Sequence, residues 1–476
     1  MKKAEANPKA NRNILYVAYG AALLFGALIL YFVFFMTVDR ESVINNSYNS
    51  ARLNSLSQWV VRGEIVSADV QVLARTDIDG EGNETRVYPY GDLFAHVVGY
   101  SGQGKTGLES LTNYYLLNSH VNLAQKVGAE LSGSKTQGDR VITSLNTTLQ
   151  QTAYDALGDR NGAVIAMEPD TGKILAMVSK PGFDPNTVAE DWDQLISQDN
   201  TSGQLLNRAT QGLYPPGSAF KIVMALEYMR EHPEDYLDYT FDCSGIYTNE
   251  GNVIQCYHRT AHGVQNLTQA FANSCNGAFA NLGLLLDKDR LRELAESLLF
   301  NQPLPLSLEY SQSSYRLEST DPLWEVLQTS IGQGETQVTP MHTALITSAI
   351  ANGGTLMQPY LADRVESADG KIVKKFVPQA YSSLMTAEES AALTSLMEAV
   401  VTEGTGSALR TDVYTAAGKT GSAEFDKTKE SHAWFTGFAP IESPEIVVTV
   451  IVEEGGSGGQ TAAPIARALM DAYFSG

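Results

Sequence analysis

The sequence predicts an α+β fold built round one antiparallel sheet flanked by helices, and three observations carry that expectation. Near the middle of the chain, Gly162-Ala-Val-Ile-Ala-Met-Glu168 and Lys173-Ile-Leu-Ala-Met-Val-Ser179 flank the turn Pro169–Gly172, a hairpin pattern. A second hairpin pattern lies near the end, His432–Ala439 and Glu445–Glu454 about the turn Pro440–Pro444. Between them, apolar residues recur at helical spacing over Ile222–Arg230, Leu267–Leu286 and Ala387–Val401, and again over Thr461–Phe474. Strands at both ends with helices between them make one sheet with helices packed on it.

The chain opens with a different signal. Ile14–Met36 is a run of 23 residues without a charge, about 35 Å long as a helix and enough for a hydrocarbon core of about 30 Å. It is too long for a signal-peptide core, and no small-residue cleavage pattern follows it. The preceding residues carry Lys2, Lys3, Lys9 and Arg12 against Glu5. Positive flanks stay cytoplasmic, so the remainder is expected outside, on a single-pass anchor. The expected organisation is a tail over 1–13, an anchor over 14–36, a small membrane-proximal region over 37–139 and a regular domain over 140–476.

Residues 37–139 are broken and polar, with short strand-like runs such as Asp69–Ala74, and they contain two decoys. Gly99-Tyr-Ser-Gly-Gln-Gly-Lys-Thr106 satisfies the P-loop pattern, with a strand-like Phe94–Val98 before it. No parallel βαβ frame surrounds it, and no apolar strand ending in Asp follows. Asp77–Gly82 resembles the start of a calcium loop, but position twelve would be Tyr88, where a bidentate carboxylate is required. A solvated hairpin turn is the expected structure.

Composition excludes further classes. With 33 Lys and Arg against 54 Asp and Glu, the net charge of −21 argues against nucleic acid as a partner. Three Cys in 476 residues exclude a disulfide scaffold.

The chemistry lies in three short motifs. Ser218 and Lys221 share one face of a helix start after Tyr214-Pro-Pro-Gly217. Ser218 there could simply cap the helix. It could also be a nucleophile, if burial lowers the Lys221 amine to a usable base. Ser274-Cys275-Asn276 and Lys419-Thr420-Gly421 follow at gaps of 56 and 145 residues. Each motif alone is weak, since Ser132–Lys135, Ser47–Asn49, Ser144–Asn146 and Lys105–Gly107 repeat the patterns. Order and surroundings single out one set: a helix start, a turn within a helical region, and a strand.

That trio resembles the penicillin-binding proteins and class A β-lactamases. The resemblance extends over about residues 140–476, through Gly162–Asn186, Asn207–Thr210, Ile331–Leu361 and His432–Pro440, to the transpeptidase domain of penicillin-binding proteins. Arg62–Ile65, Tyr88–Gly91, His96–Tyr100 and Gly107–Glu109 are similar to the pedestal motifs of class B, monofunctional members, and most like the short division-associated type of Gram-positive bacteria. The Asp-Arg-Asn-Gly usual after Arg-Gly-x-Ile is absent, which puts the first strand pair of the pedestal in question. The pedestal span is also too short for a glycan-polymerising domain.

The resemblance implies a D,D-transpeptidase that cross-links peptidoglycan stem peptides and is acylated by β-lactams. It implies Ser218 as nucleophile, Lys221 as base, Ser274 as proton relay and Asn276 as holder of Lys221 and substrate. Lys419 would keep the cleft electropositive and Thr420 would bind the terminal carboxylate. Gly421 would let substrate lie on the strand, and Ser422 N–H would join Ser218 N–H in an oxyanion hole. No cofactor and no metal are implied. The membrane and a membrane-embedded glycan polymerase or division protein are the implied partners. Two alternatives stand beside it: a β-lactam-hydrolysing or sensor protein, for which Glu296-Ser-Leu-Leu299 lacks the full Glu-x-x-Leu-Asn pattern, and a division scaffold with a vestigial site. Cys243 and Cys256 flank Asn249-Glu250 symmetrically, so a tight hairpin would oppose them. A disulfide, two reduced thiols, or a metal clip with His258 and His262 are the open readings.

Overall fold

The computed structural model describes residues 8–35, 57–425 and 428–475. The chain divides into two compact units, Met1–Trp59 and Val60–Gly476. In the first, helix α1 (Pro8–Phe34) starts on a proline, whose missing N–H would be unpaired at that position anyway. Its segment Ile14–Phe34 is the one helix among the described residues that is long and apolar enough to cross a membrane. Met36 of the expected span and residues 1–7 of the basic tail lie outside the described residues.

The second unit runs through strands β1 (Ile65–Val66), β2 (Val72–Ile78), β3 (Glu84–Val87) and β4 (Arg140–Thr143), helix α2 (Thr147–Leu157), and the hairpin β5 (Gly162–Met167) and β6 (Ile174–Lys180). Helices α3 (Lys221–Glu231), α4 (Asn276–Leu285) and α5 (Pro340–Ala351) separate that hairpin from β7 (Ala362–Glu366) and β8 (Ile372–Lys375). Helix α6 (Ala387–Thr402), strands β9 (Ala417–Ala423), β10 (His432–Ala439) and β11 (Ile446–Val452), and helix α7 (Ala463–Ser475) complete it.

The two expected hairpins do join in one antiparallel sheet, ordered β9-β10-β11-β5-β6, with β11 against β5. Its strands are apolar on both faces because both faces are covered. Ala163, Ile165 and Met167 belong to the core that contains Met341 and Leu345 of α5. Val164, Ala166, Val448 and Val450 pack with Leu149 of α2 and Leu469 of α7. The α5 side also buries a hydroxyl chain, Thr347–Thr436–Thr449, with oxygens 2.6 and 2.7 Å apart, so each polar group keeps a partner.

A second sheet is ordered β8-β7-β4-β1-β2-β3, with β1 and β4 parallel. It draws strands from residues 65–87 and from 362–375, and Arg140, where the regular sequence signals begin, is the first residue of its β4. The strand pair put in question by the missing Asp-Arg-Asn-Gly is present, with Ile65 opposite Ala74. The pedestal motifs converge on Glu109, which is wholly buried. Its carboxylate accepts from Arg62 Nε and Arg86 Nε at 2.7 Å each and from Tyr88 OH at 3.2 Å. Burial pushes that carboxyl up, but the two guanidiniums outweigh it and hold it below its ordinary value.

Some local expectations shift. Asp69–Gln71 is a turn closed by Ser67 N–H to Gln71 O at 2.9 Å, so β2 starts at Val72. Phe94–Val98 is helical, not a strand, and the P-loop-like segment has no βαβ frame. Asp77–Gly82 is a hairpin turn in which the Asp79 carboxylate accepts from Glu81 N, Asn83 N and Asn83 Nδ2 at 2.8–2.9 Å. The Leu267–Leu286 run breaks at Asn273–Cys275, where Ser274 has φ +52°. The 246–255 hairpin pairs Ile246 with Gln255 and Asn249 with Asn252. Its turn is therefore centred one residue later than Asn249-Glu250, and Cys243 lies outside it, opposite Gly263.

Candidate active site

Ser218 sits in a tight turn, Gly217–Phe220, that runs into α3. Two backbones meet behind it: Gly217 N–H donates to Gly332 O at 2.9 Å, and a Cβ on Gly332 would stand 1.8 Å from Gly217 O. Glycine at 332, with φ +77°, is what permits that approach. Trp434 of β10, fully buried, donates from Nε1 to Pro215 O at 3.1 Å and holds the turn to the sheet. Ser218 does not cap α3: no side-chain cap bond is present at either the turn or the helix. Among the described residues its hydroxyl and its N–H have no hydrogen-bond partner, so both remain available.

Lys221, one helical turn on, is wholly buried. Its Nζ donates to Ser274 O and Asn276 Oδ1 at 2.7 Å each and to Ser274 Oγ at 3.3 Å. The break before α4 thus supplies the lysine's partners, and the left-handed backbone at Ser274 aims both its oxygens at one point. Asn276 is held in turn by donating from Nδ2 to Gln255 O at 2.9 Å. Lys419 of β9, also wholly buried, donates to Ser274 Oγ at 2.9 Å and to Thr420 O at 3.0 Å. Phe279 and Phe271 back the two amines, with ring centroids 5.3 and 5.4 Å from Lys221 Nζ and Lys419 Nζ. Burial pulls Lys221 down to about 8, partly opposed by the nearby Cys275 and Cys256 thiols. Burial, then the charge of Lys221, lowers Lys419 well below its ordinary value.

The structure therefore brings Ser274, Asn276, Lys221 and Lys419 into one hydrogen-bonded group, with Ser218 on the same turn as Lys221. Thr420, Gly421 and Ser422 continue along the edge strand β9. Thr420 Oγ1 lies 2.5 Å from Thr405 Oγ1, and Ser422 Oγ accepts from Gly458 N–H at 3.3 Å. A Cβ at Gly421 would meet Trp434 Cβ at 3.0 Å and Ala219 N at 3.4 Å, so this glycine also lets the Ser218 turn lie against β9. Thr405, Gly332 and the anchoring role of Trp434 escaped the sequence reading. Gly404-Thr405-Gly406 is a visible signal of a tight loop, but nothing local ties it to Thr420.

Among the described residues the decoys stay apart from this group; Ser47–Asn49 lies outside them. Ser132 Oγ bonds back to Gly128 O and Ala129 O at 2.9 and 3.0 Å, and Lys135 pairs with Glu84. Glu296 lines a charged surface cleft with Arg292, Tyr315 and Arg316.

A serine hydroxyl free to react, a lysine that burial makes easier to deprotonate, and a hydroxyl shared between two amines are the kinds of group that acyl transfer needs. Comparison with known proteins agrees. Residues 162–471 match the penicillin binding protein transpeptidase domain, and residues 62–141 match the penicillin binding protein A dimerisation domain. The chain is 32% identical over 444 residues to peptidoglycan D,D-transpeptidase PbpA of Mycolicibacterium smegmatis, covering 86% of this chain and 88% of that one. It is also similar to a crystal structure of the D,D-transpeptidase domain of a peptidoglycan glycosyltransferase from Eggerthella lenta (TM-score 0.78, 31% identity, 87% of this chain and 98% of that one). A ceftriaxone acyl-enzyme of penicillin-binding protein A from M. tuberculosis matches with TM-score 0.79 and 30% identity, over 88% of this chain and 99% of that one. With 310 of its 476 residues matched to the domain model and the named relatives covered to 88–99% of their length, this chain belongs to the penicillin-binding protein transpeptidase family, as a class B member.

Proposed function

We propose that the chain is a peptidoglycan D,D-transpeptidase that works through an acyl-serine at Ser218. The observation that carries this reading is the buried Lys221, hydrogen-bonded to Ser274 and Asn276 and one turn from an unpartnered Ser218 hydroxyl. Ser218 Oγ attacks the penultimate D-alanyl carbonyl of a stem peptide while Lys221 Nζ takes its proton. The N–H groups of Ser218 and Ser422 receive the developing oxyanion, the usual large contribution in acyl transfer. Ser274 relays a proton to the departing D-alanine amine. Lys419 keeps the cleft electropositive, Thr420 holds the terminal carboxylate, and Asn276 the substrate amide. An amine from a second strand then takes the acyl group, restoring Ser218 and closing the cross-link.

Helix α1 anchors the enzyme in the membrane, and the basic tail keeps the N-terminus cytoplasmic and the catalytic unit outside. A membrane-embedded glycan polymerase or division protein is the natural partner, because the span 37–139 is too short to hold a polymerising domain.

The test is labelled penicillin, whose strained amide beside a carboxylate imitates the substrate terminus. The adduct maps to Ser218 alone, is abolished by Ser218→Ala with the fold retained, and persists for minutes to hours. Absence of adduct on folded protein would sink the proposal in favour of a vestigial scaffold. Release of penicilloate within seconds would instead identify a hydrolase. Glu296 lines a surface cleft whose lining includes none of Ser218, Lys221, Ser274 and Lys419, which favours the transferase.

A further inference from the structure

Three cysteines are all the chain has, and all three meet at one point beside the catalytic turn. Cys243 ends the short strand Thr240–Cys243, Cys256 follows the strand Asn252–Gln255, and Cys275 is the middle residue of Ser274-Cys275-Asn276. His262 joins them from the segment before the strand Gly263–Asn266. The Cys243 and Cys256 sulfurs are 3.6 Å apart, those of Cys256 and Cys275 3.7 Å, and Cys243 Sγ is 3.4 Å from His262 Nδ1. All four donor atoms lie within 4.8 Å of one another. His258, part of the metal clip left open by the sequence, is not among them; Cys275 takes its place.

We propose that Cys243, Cys256, Cys275 and His262 Nδ1 form a structural Zn²⁺ site that staples the turn bearing Ser274 and Asn276 to the 240–266 segment. Zinc bonds of about 2.3 Å to sulfur and 2.0–2.1 Å to nitrogen, at tetrahedral angles, put sulfurs about 3.8 Å apart and sulfur about 3.6 Å from nitrogen. The three distances given above match those lengths, and the remaining edges stay within 4.8 Å. Three thiolates and one imidazole are a donor set for zinc, and exclude the oxygen-seeking calcium and magnesium. A disulfide would use two of the thiols and leave the third thiol and the imidazole without a purpose.

The surroundings suit bound thiolates. Gly245 N–H donates to Cys243 Sγ and Ala278 N–H to Cys275 Sγ, both at 3.4 Å, and such outer contacts orient metal ligands. The three cysteines are buried while His262 is half-buried, which leaves a way in for the ion. The 240–266 segment also has reason to need a staple: it consists of two separate two-stranded sheets, and pairs of strands are marginal alone. Binding exchanges the thiol protons for one Zn²⁺ and involves no redox step. The metal is structural; the acyl transfer at Ser218 does not pass through it.

The test uses the full chain purified in detergent without chelator. Elemental analysis should find one zinc per chain, in the unaltered protein and in Ser218→Ala alike, so the result does not depend on the proposed catalysis. Exchange with Co²⁺ should give thiolate charge-transfer bands and the absorption of a tetrahedral centre. Cys256→Ser should lose the metal, and His262→Gln should weaken it by about tenfold or more in competition with a chelator. Should Cys256→Ser fail to fold, the half-buried His262→Gln decides. Folded protein without zinc, whether it carries a Cys243–Cys256 disulfide or three thiols open to alkylation, would overturn the proposal. Unchanged zinc affinity in His262→Gln would overturn it too.

Discussion

Lys221 and Lys419 point their side-chain nitrogens at the same atom, Ser274 Oγ, from 3.3 and 2.9 Å. A hydroxyl has two lone pairs and one proton. When both lone pairs accept from lysines, the Ser274 proton is left to donate into the cleft. The geometry thus prepares Ser274 for the relay proposed for it. Two buried ammonium groups facing one acceptor also repel each other, which helps to explain why Lys419 is lowered beyond the effect of burial alone.

The first prediction concerns the base. Lys221 accepts the Ser218 proton only when neutral, and burial brings it down to about 8. Acylation by labelled penicillin should therefore accelerate as pH rises through about 8 and level off above it. Lys221→Arg stays charged throughout and should cut the rate by about 10²–10⁴-fold, the usual range for a lost general base. A wild-type rate that is flat from about pH 6 to 10 would exclude Lys221 as the titrating base.

Thr420 and Thr405 form the second test. A hydrogen bond to a charged carboxylate is worth about 1.5–3 kcal/mol, so Thr420→Val should slow acylation by about 10–150-fold. Thr405 holds the Thr420 hydroxyl from 2.5 Å without being proposed to touch substrate. Thr405→Val should cost less, about 2–12-fold, the range of a neutral hydrogen bond. Equal losses in the two variants would mean that Thr405 binds substrate directly.

Glu109 supplies a test of stability. Glu109→Gln leaves the buried guanidiniums of Arg62 and Arg86 without a counter-charge. Breaking such a group should cost about 3–5 kcal/mol, read as a lower unfolding midpoint in denaturant. Per-site acylation of the protein that remains folded should be unchanged. A midpoint within error of the wild type would show that the triad contributes nothing net.

The last prediction is acid sensitivity at His342. The side chain is wholly buried on α5, its Nε2 donates to Leu298 O at 2.7 Å, and its Nδ1 is buried without a partner. Burial lowers it from 6.5 to about 4. The unfolded chain thus binds a proton between those values that the folded chain refuses. The stabilising contribution is whole above about pH 6.5 and is lost as pH falls toward 4, by roughly 3 kcal/mol in all. His342→Gln should flatten the decline of unfolding free energy over that interval by close to one proton's slope. An unaltered slope would mean that other groups, such as the similarly lowered His96, account for the whole of it.

By itself the sequence determined whatever depends on neighbours along the chain. The two hairpins were legible because their apolar runs and turns are local, and α3 and α6 because their spacing is helical. Ser218 and Lys221 share a face because three residues make nearly one turn. Order and context of the three motifs singled out one set of candidates, of which Lys221, Ser274, Asn276 and Lys419 meet in one hydrogen-bonded group. The tertiary structure decided what depends on distant segments meeting. Lys419 reaches Ser274 across 145 residues, and Thr405 reaches Thr420 only because the 404–406 loop packs on Ala272, where Thr405 N–H donates to Ala272 O at 3.1 Å. Ser218 as an N-cap was a fair local alternative, and only the backbone course of the 217–220 turn leaves its hydroxyl free. At the cysteines, symmetry about Asn249-Glu250 put the turn one residue early, and the metal clip considered there included His258. The fold instead brings up Cys275, since a turn's register is set by the pairing of whole strands and the approach of a third segment leaves no mark in sequence spacing.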